Sequence, residues 1–133
     1  MSPTSPPHLC LVLHGKAAGR PEIRQAVETI RQDGHRIDVR VTWEAGDTQR
    51  YAKEAVAQGV DTIVAGGGDG SLNEVVSGVV DGSGPVQCSL ALLPLGTAND
   101  FAHGCGIPVD DPTAALRLAT SSPTFASMRD RCP

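Results

Sequence analysis

The spacing of hydrophobic positions changes several times along this 133-residue chain. Leu9 to Gly15, LCLVLHG, is a short, near-continuous apolar run closed by glycine, the pattern of a strand covered on both faces. Pro21 suits a first helical turn, and Ile23, Val27 and Ile30 follow at helical spacing as far as Gly34. In RIDVRVT, Ile37, Val39 and Val41 alternate with polar residues, which predicts a half-covered strand near an edge. Asp47 or Thr48 suits the cap of a second helix, with Tyr51, Ala55 and Val56 on its face and Gly59 at its end. DTIVAGG reads as another buried strand. Leu72, Val75, Val76, Val79 and Val80 then give the clearest helical period in the chain. DGSGPVQ reads as a turn, SLALLP as a strand stopped by Pro94, and LGTAND as a loop leading into FAHGCGIP. Asp111-Pro112 caps a short helix carrying Ala115, Leu116 and Ala119.

Strands alternating with helices in this way predict an α/β fold: a parallel sheet with helices on both faces and right-handed crossovers. Ligands of such sheets bind outside the carboxyl ends of the strands. The loop after Val41, the glycine run and PLGTAND all lie there. Within VAGGGDGSLNEVVSG, Ser71-x-x-Glu74 has the form of a capping box. One or two glycines would serve such a turn. Gly66, Gly67, Gly68 and Gly70 together let backbone N–H groups approach an anion, with the positive end of a helix behind them. No G-x-x-x-x-G-K-[ST] is present, and Ser71 stands where the last glycine of G-x-G-x-x-G belongs. Asp69 would repel a phosphate unless a cation or a transferring proton were also present, which favours nucleotide-dependent phosphoryl transfer over simple anion binding.

Composition narrows the alternatives. Hydrophobic residues make up 40% and charged ones 20%, as in a soluble globular domain; with aromatics at 3%, the core must come from Val, Ile, Leu and Ala. A net charge of -4 without a polybasic cluster argues against nucleic acid as a partner and against stable docking on anionic lipid. No apolar stretch approaches the roughly 18 to 20 residues of a membrane span. MSPTSPPHLC reads as a disordered lead, not a signal peptide. Cys10, Cys88, Cys105 and Cys132 are scattered, and Cys10 and Cys88 lie in or beside strand-like runs. They read as buried free thiols of a reduced, cytoplasmic protein without zinc. His8, His35 and His103 read as solvent-facing.

GGGDGSLNEV together with LLPLGTANDFA resembles the catalytic domain of the diacylglycerol kinase family, particularly bacterial lipid kinases of the YegS type. VRVTWEAGDTQRYAKEA is similar to the same type, whereas GGDG alone is shared with NAD kinases and 6-phosphofructokinases. The likeness spans residues 9–120, after a lead of 1–8. It implies a nucleotide-binding domain that uses ATP and Mg2+ to phosphorylate a lipid hydroxyl, such as that of diacylglycerol or phosphatidylglycerol, with transient membrane-surface contact. Carried over by position, the nucleotide site comprises Thr42, Gly68, Asp69, Gly70, Ser71, Leu72, Asn73, Glu74 and Thr97. Asp69 is the catalytic candidate, organising the metal or the phosphate, with no metal ligand assigned. Asn73 and Glu74 reach toward the nucleoside, or Glu74 only caps the helix. Thr97 offers its hydroxyl or amide to a phosphate. Two departures stand out: His14 where the family usually carries asparagine, and Ser71 for the more usual threonine.

Kinases of this type have a second, β-rich domain that closes the ATP cleft, and SSPTFASMRDRCP shows no strand period leading toward one. Residues 121–133 therefore read as an atypical tail, suggesting truncation or a shifted frame. Three functions stay open on the sequence: a lipid kinase represented in part, a nucleotide-binding fragment without catalysis, and a kinase of a soluble substrate related to NAD kinase. A fragment would expose an apolar face where the second domain packs and would self-associate there.

Overall fold

The computed structural model describes residues 8–44, 46–67, 69–80, 88–95 and 111–121. The elements are β1 (His8–His14), α1 (Gly15–Ala18), α2 (Pro21–Gln32), β2 (Arg36–Thr42), α3 (Asp47–Ala57), β3 (Thr62–Gly67), α4 (Asp69–Val80), β4 (Ser89–Pro94) and α5 (Pro112–Ser121). The four strands form one parallel sheet in the order β2-β1-β3-β4. Leu9 stands opposite Ile37 on one side and Thr62 on the other. β1 and β3 are central and their apolar runs are buried, while β2 lies at an edge with Val39 and Val41 only half covered. The run-versus-alternation contrast in the sequence therefore reports position in the sheet.

From β1 the chain steps outward to β2, then crosses back over β1 to β3. With the right-handed connections of parallel sheets, opposite steps put their helices on opposite faces. Accordingly α2 packs with α5, and α3 with α4, against the strands between them. Ile23, Ala26, Val27 and Ile30 of α2 and Ala115, Leu116 and Ala119 of α5 enter the core. The α3–α4 contact is closer than apolar spacing predicts. A Cβ on Gly78 would lie 2.6 Å from the Gln49 carbonyl oxygen and 2.9 Å from Ala52 Cβ. That proximity centres the buried face of α3 on Thr48, Ala52 and Ala55, leaving Tyr51 and Val56 half-buried.

Helix ends follow local chemistry. Gly34 and Gly59 take positive φ after α2 and α3. His35 N–H then donates to the Ile30 carbonyl and Val60 N–H to that of Ala55, the long-range bond of a Schellman ending. The Asp111 carboxylate accepts the Ala114 N–H at 3.1 Å and caps α5. Buried Cys10 and Cys88 are free thiols, and burial pushes both up to about 11. No helix among the described residues is long and apolar enough to cross a membrane.

Several expectations change. GKAA forms a short helix, α1, too brief to carry a hydrophobic period. α4 begins at Asp69 instead of Leu72, so Ser71 lies within its first turn and the Ser71/Glu74 capping box is not formed. Gly46, not Asp47 or Thr48, precedes α3. His8 is not a solvent-facing lead residue. It opens β1, half-buried, with Nε2 2.8 Å from Asp38 Oδ2 on β2. His35 is also half-buried, and its Nδ1 is buried without a hydrogen-bond partner.

Candidate functional site

Because the chain leaves β1 in one direction and β3 in the other, the sheet has its switch point between these two strands. At the carboxyl ends of β1 and β2, beside α4, lies a cavity of about 690 Å³ lined by His14, Gly15, Lys16, Thr42, Trp43, Glu44, Thr48 and Glu74. That volume lies within the range of small-molecule sites, about 300–1,000 Å³. His14 ends β1, Thr42 ends β2, and Ser71 belongs to the first turn of α4. His14 Nδ1 is 3.2 Å from Thr42 Oγ1, and its Nε2 is 3.1 Å from Ser71 Oγ. One imidazole thus ties the ends of two strands to the helix that follows a third.

The loop after β2 is held from within. One oxygen of the Asp47 carboxylate accepts the Trp43 N–H at 2.8 Å and the Glu44 N–H at 3.1 Å; the other accepts from Arg50 at 3.0 Å. These bonds, the Trp43 N–H first, hold the Asp47 carboxyl below its ordinary range. With its backbone fixed, Trp43 presents its indole at the cavity rim, 93% exposed. It is the only tryptophan in the sequence.

The described glycines of the run answer different demands. A Cβ on Gly66 would strike the Leu13 side chain and come within 3.1 Å of the Val12 carbonyl oxygen. One on Gly67 would strike Ser71. Both are therefore required by packing between β1, β3 and α4, a demand that the glycine spacing alone had ascribed to a ligand. A Cβ on Gly70 would meet nothing within 4 Å, so Gly70 alone of these three leaves open space.

The residues carried over from the motifs divide accordingly. Thr42 and Glu74 line the cavity, and Ser71 joins it through His14. Gly70 and Asn73 are exposed on α4, whereas Leu72 is buried in the core and can offer a ligand only its backbone. Asp69 is the first residue of α4, but its side chain, Gly68, Thr97 and His103 lie outside the described residues. Sequence reasoning missed Gly15, Lys16, Glu44 and Thr48, and marked His14 only as a departure. The one available signal was that β1 also ends at the ligand-binding edge.

Among the described residues no group of three or more His, Cys, Asp or Glu side chains is placed to hold a metal ion. Magnesium that arrives on a nucleotide keeps mostly water and phosphate oxygens and needs only one or two carboxylates, so this donor set still fits it.

A doubly wound parallel sheet with a cavity at its carboxyl edge defines an α/β domain of the kind that takes its ligands there. The chain belongs to the diacylglycerol kinase catalytic domain family, whose pattern matches residues 8–128. The match runs past the 9–120 span of the quoted motifs into the next segment. The chain is 47% identical over 120 residues to the "Probable lipid kinase YegS-like" proteins of Yersinia pestis (strain Pestoides F) and Yersinia pseudotuberculosis serotype O:1b (strain IP 31758). Those residues are 90% of this chain and 40% of each relative. A crystal structure of a diacylglycerol kinase from Bacillus anthracis str. Sterne superposes with a TM-score of 0.62 at 26% identity, covering 85% of this chain and 42% of that one. A second structure from that organism, provisionally named a diacylglycerol kinase, gives 0.70 at 26% identity, over 85% and 39%. This chain thus spans about 40% of the length of the curated relatives it matches.

Proposed function

We propose that this chain is the nucleotide-binding part of an ATP-dependent lipid kinase, which moves the γ-phosphoryl group of ATP to a lipid hydroxyl such as that of diacylglycerol or phosphatidylglycerol. The observation that carries the reading is the cavity at the carboxyl ends of β1 and β2, next to the β1/β3 switch point, lined by Thr42 and by Glu74 of α4. The amino end of α4 supplies free N–H groups and a partial positive charge suited to phosphate oxygens. Lys16, across the cavity, adds a cation, and the hydroxyls of Thr42, Thr48 and Ser71 offer further donors. Trp43 presents a flat apolar face beside them. Magnesium carried by the nucleotide would supply charge neutralisation for the transfer, with Asp69 the candidate residue to organise it. The chain's own share is to orient the phosphates and limit water, because phosphoryl transfer depends mainly on positioning and charge stabilisation.

Asp69 is the first residue of α4 and stands among glycines in the sequence. In a protein carrying this chain at full family length, Asp69→Asn is expected to lower turnover about a hundredfold or more, with a far smaller effect on thermal stability. The assay is transfer from γ-labelled ATP to diacylglycerol or phosphatidylglycerol in mixed micelles, beside a melting curve on the same preparation. Equal activity would leave Asp69 as a turn residue. ATP binding with no lipid product would leave a nucleotide-binding domain without this reaction, and label on a water-soluble acceptor instead would indicate a soluble substrate.

A further inference from the structure

The His14 ring reaches one hydroxyl with each of its nitrogens, and that geometry fixes how many protons the pair can show a ligand. A neutral imidazole has one N–H donor and one acceptor nitrogen. If Nδ1 carries the proton, it donates to Thr42 Oγ1 while Ser71 turns its own O–H toward Nε2. In the other tautomer the roles exchange. Either way one of the two hydroxyl protons is spent on the ring, and only one remains for a ligand. When the ring takes up a second proton, both nitrogens donate, both oxygens accept, and both hydroxyl protons turn outward.

We propose that His14 is a positioning residue for the phosphate chain of the ligand: proton uptake on its ring converts Thr42 and Ser71 together into donors aimed at an anion. The proposal rests on reading the cavity as the nucleotide site. An asparagine in the same place can hold two hydroxyls through one donor and one acceptor, but it cannot release both protons or gain charge. The groups around His14 favour such a coupling without fixing it. Lys16 on α1 opposes ring protonation, whereas Glu44 after β2 and Glu74 on α4 support it, all three lining the same cavity. Asp69 heads α4, and Asp47 is already engaged with Arg50 behind the loop. β3 ends in Gly66 and Gly67 and contributes no charge. An arriving polyphosphate therefore supplies the decisive negative charge. Histidine is the side chain whose ordinary titration falls between about pH 5 and 8, which sets the interval for the test.

The test measures the affinity of wild type, His14→Asn and Ser71→Ala for sodium tripolyphosphate and for ATP with magnesium across that interval. The probes titrate too, but identically for every protein, so the ratio of wild type to variant isolates His14. Wild type should gain about five- to tenfold over His14→Asn from the alkaline to the acid end, the difference between neutral and charge-assisted hydrogen bonding. Ser71→Ala removes one of the two hydroxyls and should keep a smaller gain of the same sign. Parallel profiles for wild type and His14→Asn, with binding intact, would overturn the role of His14 and leave the nucleotide site standing. No binding of either probe by wild type at any pH would overturn both.

Discussion

Gly66 and Gly70 are four positions apart in one glycine-rich run and answer different physical demands. At Gly66 the Leu13 side chain occupies the space of a methyl group and the Val12 carbonyl oxygen lies within 3.1 Å, so Gly66→Ala forces Leu13 on β1 to repack. It is expected to cost about 1–3 kcal/mol, as overpacking does. Gly70 faces open space in the first turn of α4. There an alanine should raise stability by up to about 1 kcal/mol through helix propensity, while its methyl group crowds the phosphates and weakens ATP binding. Denaturant unfolding and an ATP titration on both variants separate the two. A Gly70→Ala protein that binds ATP as wild type does would remove this glycine from the site. The sequence could not make the distinction: four glycines announce close backbone approach, but whether a ligand or Leu13 comes close depends on contacts about 50 residues away in the chain. His14 is similar. Its position at a strand end was legible, but its two hydroxyl partners come from β2 and α4 and meet only in the folded sheet.

At the scale of elements, the local patterns were sufficient wherever one face of a strand or helix carries the information. Ile37, Val39 and Val41 marked β2 as an edge strand, and Gly34 and Gly59 marked two helix ends. The start of α4 was placed too late because Asp69 and Gly70 look like loop residues, although buried Leu72 and Val75 anchor the helix that they open. At the amino ends of β1 and β2, His8 Nε2 approaches Asp38 Oδ2 at 2.8 Å, and this bond first, with Arg36 and Arg40 nearby, lowers the Asp38 carboxyl below its ordinary 3.8. A depressed carboxylate stabilises the fold fully above its unfolded value and loses that contribution as the pH falls through its folded value. Asp38→Asn should therefore be less stable than wild type at neutral pH, with the gap closing in acid below about pH 3.8. Solvent screening at this half-buried pair keeps the difference below about 1 kcal/mol. Unfolding free energies at neutral and acid pH check it, and a gap that widened in acid would mean the carboxylate is not the stabilising form.

For the whole molecule, alternating strands and helices specified a parallel sheet, and the sheet specified where a ligand belongs. The order β2-β1-β3-β4 then adds what the sequence lacked: the switch point is at β1/β3, and the cavity beside it is lined by His14, Gly15 and Lys16 at the end of β1 and after it, whereas no described glycine of the run lines it. Lys16 could not be singled out from the sequence, because nothing in GKAA distinguishes a cavity-lining lysine from any surface one. This chain spans about 40% of the length of its curated relatives, so the proposed lipid transfer is tested at full family length and the proposed nucleotide recognition on this chain directly.

That recognition is the central claim, and Trp43 reports on it. As the only tryptophan, at the rim of the cavity and 93% exposed, it gives a fluorescence signal from one place. Titrating the protein with ATP and magnesium should change its emission saturably, and excess ADP should reverse the part of the change due to ATP without restoring the empty-site signal. The same titration of Gly70→Ala should shift to higher concentration. Emission that stays constant up to millimolar nucleotide, in a protein whose circular dichroism shows the α/β fold intact, would contradict a nucleotide site in the cavity at the carboxyl ends of β1 and β2.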